Sequence, residues 1–174
     1  MQKVYLKIAK VCLVLVYIVI IAGAVVRMTG SGMGCPDWPK CFGYYIPPTN
    51  IETLQWQPDR TFEKGQVIII KEQLFTAKTD FSAGHTIDMK NWERYEKHDY
   101  AVFNVWHTWI EYINRLVTVV LGIPMMLLLI LSFFIYRKDK VLTIITFGTI
   151  VILGIQAVLG KIVVDTNLKA GMIT

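Results

Sequence analysis

Three long apolar runs constrain this chain more than any other feature of its sequence. They are Val11–Val26, Leu116–Tyr136 and Val141–Gly160, and none of them contains a charged residue. A bilayer core about 30 Å thick needs about 20 helical residues, and the second and third runs reach this length. The first run reaches it if Lys7 and Lys10 extend toward the interface. The pattern therefore predicts three membrane-spanning helices.

The charges are distributed unevenly along the chain, and their distribution predicts its orientation. The N-terminus carries Lys3, Lys7 and Lys10 without an acidic residue, and residues 137–140 are Arg-Lys-Asp-Lys. Residues 27–111 instead contain 9 Lys and Arg against 11 Asp and Glu. Because short basic loops stay in the cytoplasm, we expect a cytoplasmic N-terminus in a bacterial plasma membrane and an extracytoplasmic long loop. The basic charge gives no support for nucleic-acid binding, because it lies in the inner loops.

The predicted fold class is an all-α membrane protein with three transmembrane helices and a long outer loop between helices 1 and 2. The expected segments are helix 1 in 1–27, the loop in 28–104, helix 2 in 105–136, a cytoplasmic hairpin at 137–140, helix 3 in 141–164 and an extracytoplasmic tail at 165–174. A loop of this length is either a folded cap or a functional lid. Within 51–104 we expect short helices with few strands, and Gln66–Ile70 is a short strand or a buried run.

The segment GSGMGCPDWPKCFG, residues 30–43, follows the first apolar run and contains two cysteines. Asp37 can cap a turn between Cys35 and Cys41, and the two prolines stiffen it. Such a turn could bring the cysteines close enough for a disulfide, which is either structural or redox-active. A zinc site is disfavoured because no second Cys/His pair lies at a usual spacing. Cys12, inside the first run, is predicted to be buried as a small apolar residue.

A second cluster of polar residues lies where helix 2 begins. His107, Glu111, Asn114 and Thr118 are four, three and four residues apart, and this spacing places them on one helix face. Ionisable groups at membrane depth are costly and usually functional. Thr118 is the exception, because its hydroxyl is expected to bond to its own helix backbone.

Simpler interpretations of these polar residues remain open. His107 and Glu111 could be solvated at the edge of an interfacial aromatic belt formed by Trp106, Trp109 and Tyr112. Glu111 and Arg115 could form an ordinary ion pair four residues apart. Arg27, at the end of helix 1, either extends toward the interface or clamps an anionic ligand, because guanidinium groups pair with carboxylates.

Three segments resemble the heme A synthase family: GAVVRMTGSGMGCPDWPKCFG (23–43), WIEYINRL (109–116) and IQAVLGKIVVDTNL (155–168). The resemblance implies an eight-helix membrane protein made of two related four-helix-bundle halves. This chain would be the N-terminal part, with its tail leading to a fourth helix. The implied activity is oxidation of the C8 methyl of heme O to the formyl of heme A, for terminal oxidase biogenesis.

The same resemblance implies roles for individual residues and cofactors. Heme B is the implied cofactor and heme O the substrate. The family's catalytic glutamate corresponds to Glu111. Its loop cysteines correspond to Cys35 and Cys41, which would form a disulfide that takes part in electron or heme transfer.

One motif position departs from the family pattern. The heme-ligating histidine expected three residues after the glutamate is Asn114 here, and an amide is a poor iron ligand. His107 lies two turns before it, on the same face, and is our candidate ligand for the heme iron. Alternatively, this half binds heme without a ligand at the cofactor-binding position of Asn114, or has lost the activity. Arg27 and Arg115 are the candidates for pairing with the heme propionates.

The expected partners are heme O, heme O synthase, the terminal oxidase assembly and membrane lipid, and a homo-oligomer remains open. Two other functions compete with the synthase. One is a membrane thiol–disulfide oxidoreductase that uses Cys35 and Cys41, although the spacing is not Cys-x-x-Cys and no second cysteine pair is present. The other is a non-catalytic heme-binding assembly subunit in which Asn114 marks lost activity.

Overall fold

The computed structural model describes residues 2–95, 103–135 and 139–166, with the backbone alone for 163–166. Three long helices account for most of this part of the chain: α1 (Gln2–Thr29), α2 (Val105–Ile135) and α3 (Lys140–Thr166). Each helix contains a stretch long and apolar enough to cross a membrane, which confirms the predicted fold class. Residues 137–138 of the predicted hairpin and 167–174 of the predicted tail lie outside the described residues.

The start of α3 is fixed by the acidic residue of the predicted basic hairpin. Asp139 Oδ1 accepts a hydrogen bond from the backbone N–H of Leu142 at 3.0 Å. This is N-cap geometry, which satisfies one of the backbone donors left free at a helix start. Asp139 also donates its own N–H to the carbonyl of Ile135 at 3.0 Å, at the end of α2. The Asp in Arg-Lys-Asp-Lys therefore has a structural role that its charge alone did not indicate.

One compact unit of the structure consists of residues 1–28 and 113–162. Its buried positions on α2 recur at alternate spacings of four and three residues, which is the pattern of a helix face packed on other helices: Leu121, Met125, Leu128, Ser132 and Ile135. Tyr5 and Cys12 of α1 belong to the same core. The prediction that Cys12 is buried is confirmed, and its thiol is free.

Hydroxyl groups connect the helices of this unit. The Tyr5 hydroxyl and Thr146 Oγ1 are 2.6 Å apart, joining α1 to α3. Thr143 Oγ1 donates to the backbone carbonyl of Ser132 at 2.8 Å, joining α3 to α2. Such bonds contribute about 0.6–2 kcal/mol each in membrane proteins, where lipid cannot supply an alternative partner.

The second compact unit contains residues 29–112 and carries the β-structure of the described chain. Its strands are β1 (Thr61–Phe62), β2 (Val67–Ile70), β3 (Gln73–Ala77), β4 (Phe81–Ser82) and β5 (Trp92–Arg94). Strands β1 and β4 form an antiparallel pair, and the other three form an antiparallel sheet in the order β2-β3-β5. Three short 3₁₀ helices complete the described part of this unit. Two of these helices lie in 51–104, so the short helices expected there are present, but the expectation of few strands is wrong. The predicted run Gln66–Ile70 forms β2 from Val67 onward.

The turn between β2 and β3 explains why this sheet was not predicted from the sequence. Ile70 pairs with Gln73, so the connection is the two-residue loop Lys71-Glu72. Both loop residues have positive φ, 48° and 61°, which is the conformation of a type I′ turn. Such turns usually contain Asn-Gly or Asp-Gly, and neither pair occurs at this position.

The three-stranded sheet has an apolar core on each face. One face packs against the cysteine loop through Val67, Ile69, Leu74 and Tyr95. The opposite face packs against the β1–β4 pair through Ile68, Ile70, Phe75, Ala77 and Trp92. The continuous apolar run of β2 is explained by this arrangement, because alternate side chains of a strand point to opposite faces.

We predict that the core between the three-stranded sheet and the β1–β4 pair stabilises this unit. Phe62 is fully buried, with its ring centroid 5.0 Å from that of Trp92 and 5.7 Å from that of Phe81. We expect Phe62→Ala to destabilise this unit by about 3–5 kcal/mol, because the lost packing leaves a cavity. Limited trypsin digestion, with cleavage sites mapped by mass spectrometry, should show much faster cutting between residues 56 and 95.

The matched control for this measurement is Met89→Ala, because Met89 is an exposed side chain of the same unit. It should leave the digestion rate nearly unchanged. Equal digestion of the Phe62→Ala and wild-type proteins would show that this core does not stabilise the sheet.

Candidate functional site

The cysteine loop, residues 34–43, is closed by a disulfide bond between Cys35 and Cys41, whose Cα atoms are 4.8 Å apart. The exposed fractions of these residues are 0% and 1%. Thiol–disulfide exchange requires a thiolate to reach one of the two sulfurs. Because both are covered, the burial favours the structural interpretation of this disulfide over the redox-active one.

Asp37 organises the interior of the loop. Its Oδ1 accepts from the backbone N–H of Phe42 at 2.6 Å, and its Oδ2 accepts from that of Gly43 at 2.8 Å. The prediction that Asp37 caps the turn is confirmed. Charge-assisted bonds of this kind are stronger than neutral ones, so the carboxylate supports the closure that the disulfide makes covalently.

The C-terminal end of the loop is attached to the rest of its unit through Tyr44. Cys41 and Tyr44 exchange backbone hydrogen bonds of 2.9 and 3.1 Å. The Tyr44 hydroxyl accepts from Arg60 Nη2 at 2.9 Å. Burial raises the pKa of Tyr44 above that of an ordinary tyrosine, with Arg60 opposing the shift, so the phenol stays protonated at neutral pH.

The N-terminal end of the loop lies directly on the first turns of α2. A Cβ atom at Gly34 would lie 2.5 Å from the backbone carbon and oxygen of His107 and 2.7 Å from the nitrogen of Thr108. Thr108 Oγ1 donates to the carbonyl of Gly34 at 2.9 Å. Tyr95 donates its hydroxyl to the carbonyl of Pro36 at 2.6 Å. The loop therefore lies against α2 by direct backbone contact, which only glycine permits at position 34.

Glu111 joins the two motifs that the sequence showed separately. Its side chain is 4% exposed, and its Oε2 accepts from the backbone N–H of Cys35 at 2.8 Å. These residues are 76 positions apart in the chain. The contact places a buried carboxylate beside the disulfide, within the same compact unit.

The remaining predicted site residues have varied environments. His107 is half-buried on the first turn of α2, in the unit that contains Glu111. Asn114 and Arg115 are half-buried and Arg27 is exposed, and these three belong to the helical unit. The side-chain oxygen of Asn114 is 3.9 Å from the position of a Cβ atom on Gly23, so it lies beside α1. Thr118 Oγ1 donates to the carbonyl of Asn114 at 2.9 Å, as expected.

Gly34 of the loop and Thr108 of α2 contact each other, but neither was singled out from the sequence. The available signal was spacing, because Thr108 lies three residues before Glu111 and therefore on the same helix face.

An open cavity of about 470 Å³ elsewhere in this unit is lined by Thr49, Asn50, Ile51, Glu52, Phe103 and Val105, and contains none of the predicted site residues.

We predict that the close packing of Gly34 on α2 limits access to the disulfide. Gly34→Ala should displace the loop from α2, because the added methyl group would overlap backbone atoms that cannot rotate away. We expect dithiothreitol to reduce the Cys35–Cys41 bond about ten times faster, since exchange depends on access to sulfur. Maleimide labelling followed by mass spectrometry measures the thiols released.

The matched control is Gly84→Ala, because a Cβ atom at this glycine would meet nothing within 4 Å. Its reduction rate should equal that of the wild type. Equal rates in all three proteins would show that packing of Gly34 on α2 does not protect the disulfide.

Comparison with known proteins identifies the family. The chain matches the family described as cytochrome oxidase assembly protein over residues 7–83 and 81–173. A heme A synthase from Shewanella oneidensis is 43% identical over 45 residues, which are 26% of this chain and 14% of the length of that protein. No solved structure gives a significant match. Because the family match covers nearly all of its residues, the chain belongs to the cytochrome oxidase assembly protein family.

Proposed function

We propose that this chain is the N-terminal part of a heme A synthase, which oxidises the C8 methyl of heme O to a formyl group. Membership of the cytochrome oxidase assembly protein family and the local similarity to a heme A synthase support the proposal. The structural observation that carries it is the buried Glu111 carboxylate attached to the cysteine loop. An integral membrane protein suits this substrate, because heme O is strongly apolar.

We assign Glu111 the role of proton acceptor, because the proposed reaction releases protons. Balanced with water as the oxygen donor, conversion of a methyl to a formyl group releases four protons and four electrons, so the reaction also requires an external electron acceptor. A buried carboxylate held in one orientation can accept a proton from the reacting group, and such catalysis typically contributes about 10²–10⁴ in rate. Heme B, when bound, would supply the redox chemistry.

Of the polar side chains His107 and Asn114 on α2, one is suited to bind heme iron. His107 provides an imidazole, and a single histidine is a sufficient axial ligand in several heme proteins. Asn114 provides only an amide, so we assign the iron to His107. Arg27 and Arg115 carry the positive charges that we assign to the propionates.

Of the competing functions, the thiol–disulfide oxidoreductase is disfavoured by the burial of Cys35 and Cys41. The non-catalytic heme-binding subunit is favoured by one feature, the amide of Asn114 where the family resemblance expects a histidine. Heme binding does not separate it from the synthase, but turnover of heme O does.

The proposed function predicts a defined set of spectra and products. The purified full-length protein should bind heme, as shown by pyridine hemochrome and reduced-minus-oxidised spectra. His107→Ala should lose or alter these spectra. Glu111→Gln should retain heme but convert heme O to heme A about 100 times more slowly, because the proton acceptor is removed.

The control for His107 is His85→Ala, since His85 is an exposed histidine in the segment between β4 and β5 of the same unit. It should leave spectra and products unchanged. An intact protein without heme in any form would contradict the synthase and the assembly subunit alike. Bound heme without turnover in the wild type would favour the assembly subunit.

We also propose that the N-terminus is cytoplasmic and the loop unit extracytoplasmic. In a Cys12→Ala background, Glu72→Cys and Gln2→Cys provide one thiol in each region, and Glu72 lies in the exposed β2–β3 turn. A membrane-impermeant maleimide should label position 72 in intact cells and position 2 only after permeabilisation. The opposite pattern would reverse the orientation.

A further inference from the structure

A single peptide group of the cysteine loop is hydrogen-bonded at both ends to side chains of α2. The carbonyl of Gly34 accepts from Thr108 Oγ1 at 2.9 Å, and the N–H of Cys35 donates to Glu111 Oε2 at 2.8 Å. These two groups belong to the same planar peptide unit. Thr108 and Glu111 are three residues apart, so their side chains lie on one face of the helix and bind the peptide together.

The rigidity of the peptide group couples the two side chains. In a trans peptide the C=O and N–H point in opposite directions within one plane, and rotation about the C–N bond is strongly restricted. Fixing the carbonyl therefore also fixes the direction in which the N–H points. Thr108 is fully buried, so no water competes for its hydroxyl.

The disulfide restrains the same peptide from its other side. Cys35 is bonded to Cys41, which exchanges backbone hydrogen bonds with Tyr44. Cys35 Sγ also lies 3.8 Å from the carbonyl oxygen of Thr108. This approach is a packing contact, because a disulfide sulfur has no proton to donate. Thus Cys35 is held both by covalent attachment and by packing on α2.

We propose that Thr108 and the Cys35–Cys41 disulfide are positioning groups for Glu111, acting through the Gly34–Cys35 peptide. The hydroxyl and the disulfide keep the Cys35 N–H directed at the carboxylate, and this bond holds the carboxylate in one orientation. The effect on turnover rests on the proposed function, but the positioning itself does not. It follows that loss of the disulfide slows the reaction by releasing Glu111, which requires no electron transfer by the two sulfurs.

The test observes the Cys35 amide directly. The full-length protein labelled with ¹⁵N-cysteine gives amide signals in this part of the chain from Cys12, Cys35 and Cys41. Cys12 lies in α1, and Cys41 donates to a backbone carbonyl, so both report on folding. The variants are Thr108→Val, which removes the hydroxyl at nearly constant volume, Thr108→Ser, which retains it, and Glu111→Gln, which removes the charge of the acceptor.

We expect the Cys35 proton signal to move upfield in Glu111→Gln and in Thr108→Val, while the other two cysteine signals stay in place. Amide exchange at Cys35 should accelerate at least about tenfold in Thr108→Val, because the local structure opens more readily. In Thr108→Ser the signal and its exchange should stay near the wild-type values. The control Thr149→Val removes a hydroxyl bonded to its own helix at 2.9 Å and should change none of the three signals.

Turnover provides the second readout. Thr108→Val should lower kcat for heme O about 10–100-fold with little change in KM, since small misplacements of a catalytic group cost about this much. Thr108→Ser should restore most of kcat. Cys41→Ser, kept reduced, should show a similar fall in kcat and the same displaced Cys35 signal.

Two results would overturn the proposal. One is an unchanged Cys35 signal in both Thr108→Val and Glu111→Gln. The other is complete loss of turnover in Cys41→Ser with unchanged turnover in Thr108→Val, which would assign electron transfer to the thiols. If Thr108→Val moves all three signals, its fold has changed, and reduced Cys41→Ser decides: an unchanged Cys35 signal in that variant would overturn the proposal.

Failure of the proposed function gives a different result. In that case no protein turns over heme O, while the Cys35 signal still responds to Thr108→Val and Glu111→Gln. The positioning would then stand without the synthase activity.

Discussion

The hydrogen bond between the Cys35 N–H and the Glu111 carboxylate is the interaction on which the arrangement of the second unit depends. A carboxylate withdrawn from water is costly unless a donor replaces the lost solvent. Here that donor comes from a loop 76 residues away in sequence. The loop must therefore lie on α2. The backbone contact of Gly34, the hydrogen bond from Thr108 and the Cys35–Cys41 disulfide keep it there.

Two glycines, one at each end of the loop, make this arrangement insensitive to side-chain motion. Gly34 contacts the backbone of α2, and a Cβ atom at Gly43 would lie within 2.4 Å of the backbone at Gly65 and Gln66. Val67, at the start of β2, also donates its N–H to the carbonyl of Phe42 at 3.1 Å. The loop is thus held between α2 and the sheet by main-chain contacts, which have little freedom to relax.

The sequence predicted the features that depend on local composition and missed those that depend on distant pairing. The three helices follow from long apolar runs, and the cap by Asp37 follows from residues five and six positions away. The sheet was missed because its turn, Lys71-Glu72, has positive φ without the usual glycine or asparagine. The contact of Glu111 with Cys35 leaves no periodic signal, since it joins a helix to a loop. The catalytic, heme-binding and propionate roles remain predictions.

The burial of the disulfide has a consequence for how the protein is made. Cys35 and Cys41 are both buried in the apolar core on one face of the three-stranded sheet, and Cys35 also packs on α2, so an oxidising enzyme could not reach the sulfurs in the finished structure. The bond must therefore form while this segment is still open, before β2 and the start of α2 close over it. Cysteines still reduced when this unit packs would be trapped as two buried thiols, so formation of the bond depends on whether oxidation or packing comes first.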